Sequence, residues 1–268
     1  MVLKVGQIGY GFVGSALAKS FSNKGCETIV YDKYKMIGKF DDVLSSDILF
    51  LCLPTPFVEG HGFDLTQLMF SCKKLEESNY NGLIVIKSTV EPGVTNRLGK
   101  MFVNLKLCHN PEFLTARTAF EDFHNQSHIV IGYATDGINT KYEIEVLKDL
   151  YHNLYPDADI SICTSVESES MKLFCNNFYA IKVQVFNEFY LLCQKIGADF
   201  ESVKGMMLKN GWVADQHHNV PGPDGQLSYG GLCFTKDTKS LVKFMADNGS
   251  MNGVLKACII ERDKMRKD

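Results

Sequence analysis

The chain reads as α/β: a doubly wound sheet followed by an α-helical domain with a long central helix. Three observations predict this. Short apolar runs of strand character alternate with helical segments over residues 1–162. A glycine-rich turn joins the first run to the first helical segment, the connection such sheets use at their ligand-binding edge. Beyond residue 163 a helical pattern of about 30 residues takes over. The boundary is drawn there, with one domain over 1–163 and a second over 164–268.

Val2 to Ile8 is a short apolar run, like a buried parallel strand. Gly9-Tyr10-Gly11-Phe12-Val13-Gly14 follows, and Ala16, Leu17 and Phe21 then recur at helical spacing. Gly25 reads as a helix stop and Thr28-Ile29-Val30-Tyr31 as the next strand, ended by Asp32, 18 residues after Gly14. A glycine triplet alone is weak evidence. Strand, glycines, helix, second strand and terminal acid in order make a Rossmann-type dinucleotide fingerprint. Gly9 permits the tight turn, Gly11 admits a pyrophosphate to the backbone, and Gly14 lets helix and strand pack closely. The N–H groups of the helix N-terminus face the phosphates. Asp32 can accept the adenosine ribose hydroxyls and would repel a 2′-phosphate, which favours NAD over NADP. Lys33 and Lys35 pull slightly the other way, and Lys35 is counted with the cofactor-binding residues.

Further strands are predicted at Ile48-Leu49-Phe50-Leu51-Cys52-Leu53, Leu83-Ile84-Val85-Ile86, Leu105-Lys106-Leu107 and Ile129-Val130-Ile131. Helices are predicted near 64–78, 92–102, 114–121 and 137–152. Candidate ligand-binding residues stand just past the strands: Pro54-Thr55-Pro56, Lys87-Ser88-Thr89 and Asn110-Pro111-Glu112-Phe113-Leu114. Thr55 and Thr89 either line the nicotinamide side of the cleft or serve as turn and cap residues. Glu112 is either a buried functional carboxylate or an acid near a helix start.

Thr164-Ser165-Val166-Glu167 is a capping box that opens the long helix, to about Ile196 before Gly197. Phe174, Phe178, Ile181, Val185, Phe189 and Leu192 form an apolar seam, expected to be buried between two bodies and to offer a dimer interface. Lys172 and Asn176 share a face away from that seam, as a solvated pair or an active-site pair. A helix over 199–211 precedes a Gly-, Pro- and Asp-rich loop from His217 to Gly231, either a ligand cover or a plain connection. Helices near 237–248 and 250–266 close the chain. In Tyr229-Gly230-Gly231-Leu232-Cys233-Phe234-Thr235-Lys236-Asp237, the cysteine is expected just ahead of a helix N-terminus. Backbone N–H groups, the helix dipole and Lys236 would favour a thiolate there. The two glycines are expected to let a ligand reach the backbone. Cys233 reads as a nucleophile, against the commoner inert buried thiol.

Composition narrows the classes. With 28 basic and 31 acidic side chains the net charge is −3, which gives no electrostatic case for nucleic acid or an anionic membrane. Nine cysteines without CxxC pairs fit a reducing, cytoplasmic setting. No metal-ligand spacing is present, and adjacent His217 and His218 do not suit one metal. No apolar run approaches the ~20 residues a membrane span needs, and the N-terminal run lacks signal-peptide features.

Together these residues resemble the UDP-glucose/GDP-mannose dehydrogenase family. The resemblance rests on Gly9 to Gly14, Pro54-Thr55-Pro56, Ser88-Thr89-Val90-Glu91-Pro92-Gly93 and Asn110 to Leu114. It continues with Lys172 and Asn176, Asn187-Glu188 and Gly230 to Asp237. It implies oxidation of a nucleotide sugar's C6 alcohol to a carboxylate, with NAD used twice in succession. Cys233 would attack the aldehyde stage to give a thiohemiacetal, then a thioester that water hydrolyses. Lys172 would stabilise the oxyanion and assist proton transfer, with Asn176 as second donor. Asp237 and Thr89 would place water or act as bases, and Glu112 would serve proton transfer or hydrolysis. Lys236 would sit near the cofactor. Glu112, Phe113, Leu114, Lys172, Asn176, Tyr229 and Gly230 would contact substrate, and two chains would pair through the helix near 165–196.

The pattern is departed from in places. Ala116 stands where many members have a second Glu, Leu232 and Thr235 replace a small residue and a proline, and the family's third domain is expected to be absent. Two other readings stay open: a single-step 3-hydroxyacid-type dehydrogenase using Lys172, and a non-catalytic NAD-binding dimer or partner subunit.

Overall fold

The computed structural model describes residues 3–267. The elements begin with β1 (Val5–Ile8), α1 (Phe12–Asn23), β2 (Thr28–Tyr31), α2 (Phe40–Val43) and β3 (Ile48–Leu51). A short hairpin, β4 (Phe57–Val58) and β5 (Gly62–Phe63), precedes α3 (Thr66–Glu77), β6 (Leu83–Ile86), α4 (Val94–Met101) and β7 (Lys106–His109). Next come α5 (Ala119–His124), β8 (His128–Tyr133), α6 (Lys141–Leu154) and β9 (Asp159–Thr164). Helices α7 (Ser165–Ile196), α8 (Phe200–Lys209), α9 (Gly231–Asp247) and α10 (Gly253–Met265) complete the series. Two compact units result. One holds the residues through Pro56 and Phe63–Lys172, the other Phe57–Gly62 and the residues from Leu173 on.

The first unit is built on a seven-stranded sheet in the order β2-β1-β3-β6-β7-β8-β9. Strands β2 to β7 are parallel; β8 runs antiparallel to β7, and β9 parallel to β8. The winding reverses at β1, which pairs with β2 on one side and β3 on the other. That reversal opens a crevice beyond the strands' C-terminal ends. Alternate residues feed two cores. Ile48, Phe50, Leu83 and Val85 pack with Leu17, Phe21, Phe123 and Tyr151 on one face. Leu49, Leu51, Ile84 and Ile86 pack with Leu68, Leu75 and Leu98 on the other. Burial on both faces is why these strands are continuous apolar runs.

Several predicted bounds shift. Of the strand predicted from Val2, Val5–Ile8 is seen, and Val2 lies outside the described residues. The helix predicted over 114–121 begins only at Ala119. Ahead of it, Asp122 accepts the Thr115 N–H (2.8 Å) and the Thr115 and Thr118 hydroxyls (2.7 and 2.8 Å). This turn chemistry outcompetes the first helical turn. Strand β9 was not predicted, because its polar, half-exposed sequence lacks the apolar signal of the others.

In the first turns of α7 the capping box forms: the Thr164 N–H and hydroxyl both donate to Glu167 Oε2 (2.8 and 2.7 Å). Glu169, fully buried, accepts the Gly93 N–H (2.5 Å) and the Thr95 N–H and hydroxyl (2.8 and 2.6 Å). It thereby supplies the cap that the α4 N-terminus lacks locally. Gly197, at φ +73°, ends α7 in the left-handed conformation.

The expected burial along α7 is met at Leu173 and Ala180 and in part at Ile181 and Val185, but not along the rest of the seam. Of the seam, Phe174 (55 %), Phe178 (64 %), Phe189 and Leu192 are exposed, while Lys172, Asn176, Asn177, Gln184 and Asn187 are buried. Hydrogen bonding allows it: Lys172 and each of these amides make hydrogen bonds, with Asn177 Oδ1 the one fully buried oxygen among them left without a partner, so the polar face can leave water. The second unit's smaller apolar clusters gather Phe186, Cys193, Phe200 and Val220, and Ala180, Tyr229 and Cys258.

Candidate active site

The glycine turn forms as predicted, and each glycine has a distinct reason. Gly9 has φ +94°, and a Cβ there would lie 2.3 Å from the Cys52 carbonyl oxygen. At Gly14 a Cβ would meet the Gly9 carbonyl oxygen at 2.2 Å and Gln7 Nε2 at 2.6 Å. At Gly11 it would meet nothing within 4 Å, so the space beside the backbone is open. The N-terminus of α1 has neither a side-chain cap nor an acid in its first turn. An open backbone cradle at an uncapped helix N-terminus fits a pyrophosphate. Gly14→Ala is expected to lower stability by about 1–3 kcal/mol through overpacking and to weaken NAD binding. Denaturant titration and a fluorescence binding curve check it.

Asp32 does more than the sequence implied. Its carboxylate accepts the Tyr10 N–H (2.7 Å), the Tyr34 N–H (2.9 Å) and the Lys35 N–H (2.8 Å). Lys35 Nζ donates to the Tyr10 carbonyl (2.6 Å). Burial would raise this carboxyl, but the three backbone donors and the Lys35 charge hold it below its ordinary range. Asp32 thus stays ionised and pins the glycine turn, and three donors leave roughly one of its four lone-pair sites for a ribose hydroxyl. Phe12 is exposed beside the turn, and Val13 is half-buried. Thr55 donates to the Thr89 carbonyl (2.7 Å), and Ser88 donates to the Leu53 carbonyl (2.7 Å), which ties the loops after β3 and β6 together.

Beyond β7 a charged cluster is buried in the first unit. Lys172 Nζ lies 3.2 Å from Glu112 Oε1 and donates to the Glu112 carbonyl (2.5 Å). It also stands 5.3 Å from the Phe113 ring centre. The Leu114 N–H donates to Glu112 Oε2 (2.7 Å), while the Leu114 side chain packs against the sheet core. Burial would raise the Glu112 carboxyl; Lys172, the Leu114 N–H and Lys87 more than offset it and hold it low. Lys87, which sequence reasoning named only within its tripeptide, is buried and donates to Asn110 Oδ1 (2.9 Å) and the Pro111 carbonyl (3.1 Å). Burial pushes it down to about 8. Its signal was a lysine directly continuing the apolar strand Leu83–Ile86.

In the second unit, Gly230 caps α9 and Gly231, at φ +77°, opens it. Cys233 is therefore the third residue of the first turn, not a residue ahead of the helix, and it is exposed. That turn has no side-chain cap and no acid, so its N–H groups and dipole favour an anion. Asp237, one turn on, is fully buried. It accepts Asn176 Nδ2 (2.7 Å) and Lys236 Nζ (2.5 Å), and its carbonyl accepts Asn177 Nδ2 (3.2 Å). Lys172 and Asn176 were left open as a solvated pair; both are buried. Tyr229 is also buried, its ring in the apolar cluster with Ala180 and Cys258. The space beside Gly230 is taken not by an open approach but by the Arg266 guanidinium, 2.1 Å from where a Cβ would sit. Among the described residues no cluster of three or more His, Cys, Asp or Glu could hold a metal, and no helix is long and apolar enough to cross a membrane.

A dinucleotide cradle at the head of a doubly wound sheet defines a Rossmann-type nucleotide-binding protein, and the comparisons with known proteins specify which kind. The model of the UDP-glucose/GDP-mannose dehydrogenase family NAD binding domain matches residues 38–155, and that of the family's central domain matches 166–260. The chain belongs to the UDP-glucose/GDP-mannose dehydrogenase family, and its cofactor is NAD. It is 30% identical over 235 residues to a UDP-glucose 6-dehydrogenase of Rhizobium meliloti (strain 1021), covering 84% of this chain and 52% of that protein. It is 31% identical over 232 residues to one from Rickettsia felis (strain ATCC VR-1525 / URRWXCal2), covering 84% and 49%. The chain thus spans about half the length of the curated relatives it matches. In fold it is similar to the UDP-glucose dehydrogenase from the hyperthermophilic archaeon Pyrobaculum islandicum, with TM-score 0.87 at 22% identity over 98% of this chain and 68% of that one. The Mycobacterium tuberculosis 3-hydroxyisobutyrate dehydrogenase shares the fold at TM-score 0.71 and 14% identity, over 96% and 91%.

Proposed function

We propose that the chain oxidises the C6 alcohol of a UDP-glucose-like nucleotide sugar to the carboxylate. The observation that carries this reading is the setting of Cys233: an exposed thiol in an uncapped first turn, with Asp237 held one turn below it by Asn176 and Lys236. Simple alcohol oxidation has no use for a thiol; oxidation of an aldehyde does, because thiol addition makes the tetrahedral carbon from which hydride can be lost. Bound NAD supplies a two-electron hydride acceptor, needed once per stage. The glycine turn and Asp32 bind and orient the cofactor.

In the second stage the Cys233 thiolate adds to the aldehyde carbon, and the carbonyl π electrons move to oxygen. Lys172 and Asn176 donate to that oxygen. Loss of hydride from the same carbon leaves a thioester. Water then adds to the thioester with a carboxylate taking a proton, and the thiol leaves; Asp237, Thr89 and Glu112 are the residues that the family resemblance assigns to this step. With Ala116 where the family resemblance leads one to expect a second Glu, Glu112 is the carboxylate left to this step.

The test counts NADH formed per sugar at completion, with a panel of nucleotide sugars. Two NADH per sugar support the reading. One NADH points to a single oxidation of the 3-hydroxyacid-dehydrogenase kind, and none, with NAD bound, to a non-catalytic role or partner subunit.

The exposed face of α7 supports a second element of the proposal, a homodimer. A stripe holding Phe174, Phe178, Phe189 and Leu192 on a soluble helix marks an interaction surface. Phe178→Glu is expected to shift a dimer to monomer at micromolar concentration in light scattering; an unchanged mass overturns it.

A further inference from the structure

The loop that leads to Cys233 is gripped from two sides within the second unit. From α7, Asn187 Oδ1 accepts the Ser228 N–H (2.9 Å), and Gln184 Oε1 accepts the Ser228 hydroxyl (2.5 Å). From α10 and its C-cap come two arginines that sequence reasoning passed over, and both are buried. Arg262 Nε donates to the Tyr229 carbonyl (3.1 Å), with the guanidinium 5.8 Å from the Tyr229 ring centre. Arg266 Nη2 donates to Asp224 Oδ2 (2.5 Å).

Gly230 reports how tight this grip is. Its φ of −141° and ψ of −157° are extended backbone that any residue adopts, so conformation does not require glycine. Space does. A Cβ there would lie 2.1 Å from Arg266 Cζ and Nη2 and 2.5 Å from Nε. The guanidinium fills the volume where a side chain would begin, flat against the N-cap of α9. Three residues later stands Cys233.

We infer that Arg266, assisted by Arg262, is a positioning residue for Cys233: it locks the 224–230 loop and the α9 N-cap, and so fixes the turn that carries the thiol. This rests on the reading of Cys233 as nucleophile. The guanidinium acts through the backbone. Its charge is paired with Asp224, whose carboxyl the Arg266 hydrogen bond holds below its ordinary range.

The experiment compares Arg266→Ala, Gly230→Ala and Asp224→Asn with the unaltered chain. Gly230→Ala keeps the arginine but displaces it. Asp224→Asn leaves both buried arginines in place and alters only a half-exposed carboxylate, so it remains informative if Arg266→Ala does not fold. Three readouts are taken: amide exchange of the 229–236 peptide, alkylation of Cys233 followed by mass spectrometry, and steady-state oxidation. In Arg266→Ala, local exchange is expected to quicken about tenfold, and alkylation at neutral pH to slow about threefold or more as the helix terminus loosens. The kcat is expected to fall about tenfold to a hundredfold with KM within about twofold. Gly230→Ala should match Arg266→Ala, and the double variant should be no worse than either. Asp224→Asn should shift the same way by less. Folded Arg266→Ala and Asp224→Asn variants with unaltered exchange, alkylation and kcat overturn the inference, as does an additive double variant. Failure of the nucleophile reading shows separately, as full oxidation by Cys233→Ser while the exchange and alkylation effects of Arg266→Ala persist.

Discussion

Cys233→Ser is expected to lose oxidation of the aldehyde stage by about 10³-fold or more, the scale seen when a covalent nucleophile is removed. Serine at neutral pH has no counterpart of the thiolate, because its hydroxyl is far less acidic than a thiol. Because Cys233 is exposed, the substitution should alter stability by no more than about 0.5 kcal/mol. The pair of measurements is turnover of a supplied aldehyde and a denaturation midpoint. Undiminished turnover would mean that no thiol takes part in the aldehyde stage, and the covalent route would be withdrawn. A large loss of stability would instead assign Cys233 a packing role.

Lys172→Met should be the most destabilising single change among the site residues, costing about 3–5 kcal/mol at neutral pH because it strands the buried Glu112 carboxylate. The sign with pH follows from what holds that group. In the unaltered chain the Glu112 carboxyl is kept low, so its stabilising contribution is present above the ordinary carboxylate range and lost as pH falls through the folded value. Without Lys172, burial dominates and the carboxyl rises. The variant then loses stability as pH climbs out of the carboxylate range, and its deficit should shrink on acidification. Adding Glu112→Gln should recover part of the stability but no activity. A deficit that is constant with pH and unrelieved by Glu112→Gln would show that the pair is not what was disturbed.

What the sequence made legible follows from which signals are local. The β1–α1 glycine turn was readable because each glycine answers a contact within the turn or with the adjacent strand. Strands Ile48–Leu51 and Leu83–Ile86 were readable because burial on both faces makes them wholly apolar. Strand Asp159–Thr164 was not, since it is half-exposed and its polar sequence resembles a loop. The helix predicted at 114 failed because Asp122, a residue farther along, captured the turn. In the candidate site the residues proposed for chemistry were named from the sequence, but the residues that hold them were not. Lys87, Glu169, Arg262 and Arg266 act on residues 23 to 76 positions away, and no periodicity encodes such a pairing. The α7 seam misled for the same reason: an amide on a helix reads as solvated until its partner is known.

The buried polar face of α7 bears on how the chain can vary. The rotation of α7 about its own axis is indexed by the buried Ala180, Phe186 and Cys193 and by directional bonds, from Asn177 to the Asp237 carbonyl and from Ser228 to Gln184 and Asn187, rather than by Phe174, Phe178 and Phe189. A slip of one residue would turn the helix by about 100° and orphan every one of those groups at once. Azimuth and the proposed self-association are therefore written on different faces. Substitutions along Phe174, Phe178, Phe189 and Leu192 change the exposed face while the polar face keeps the helix at the same angle.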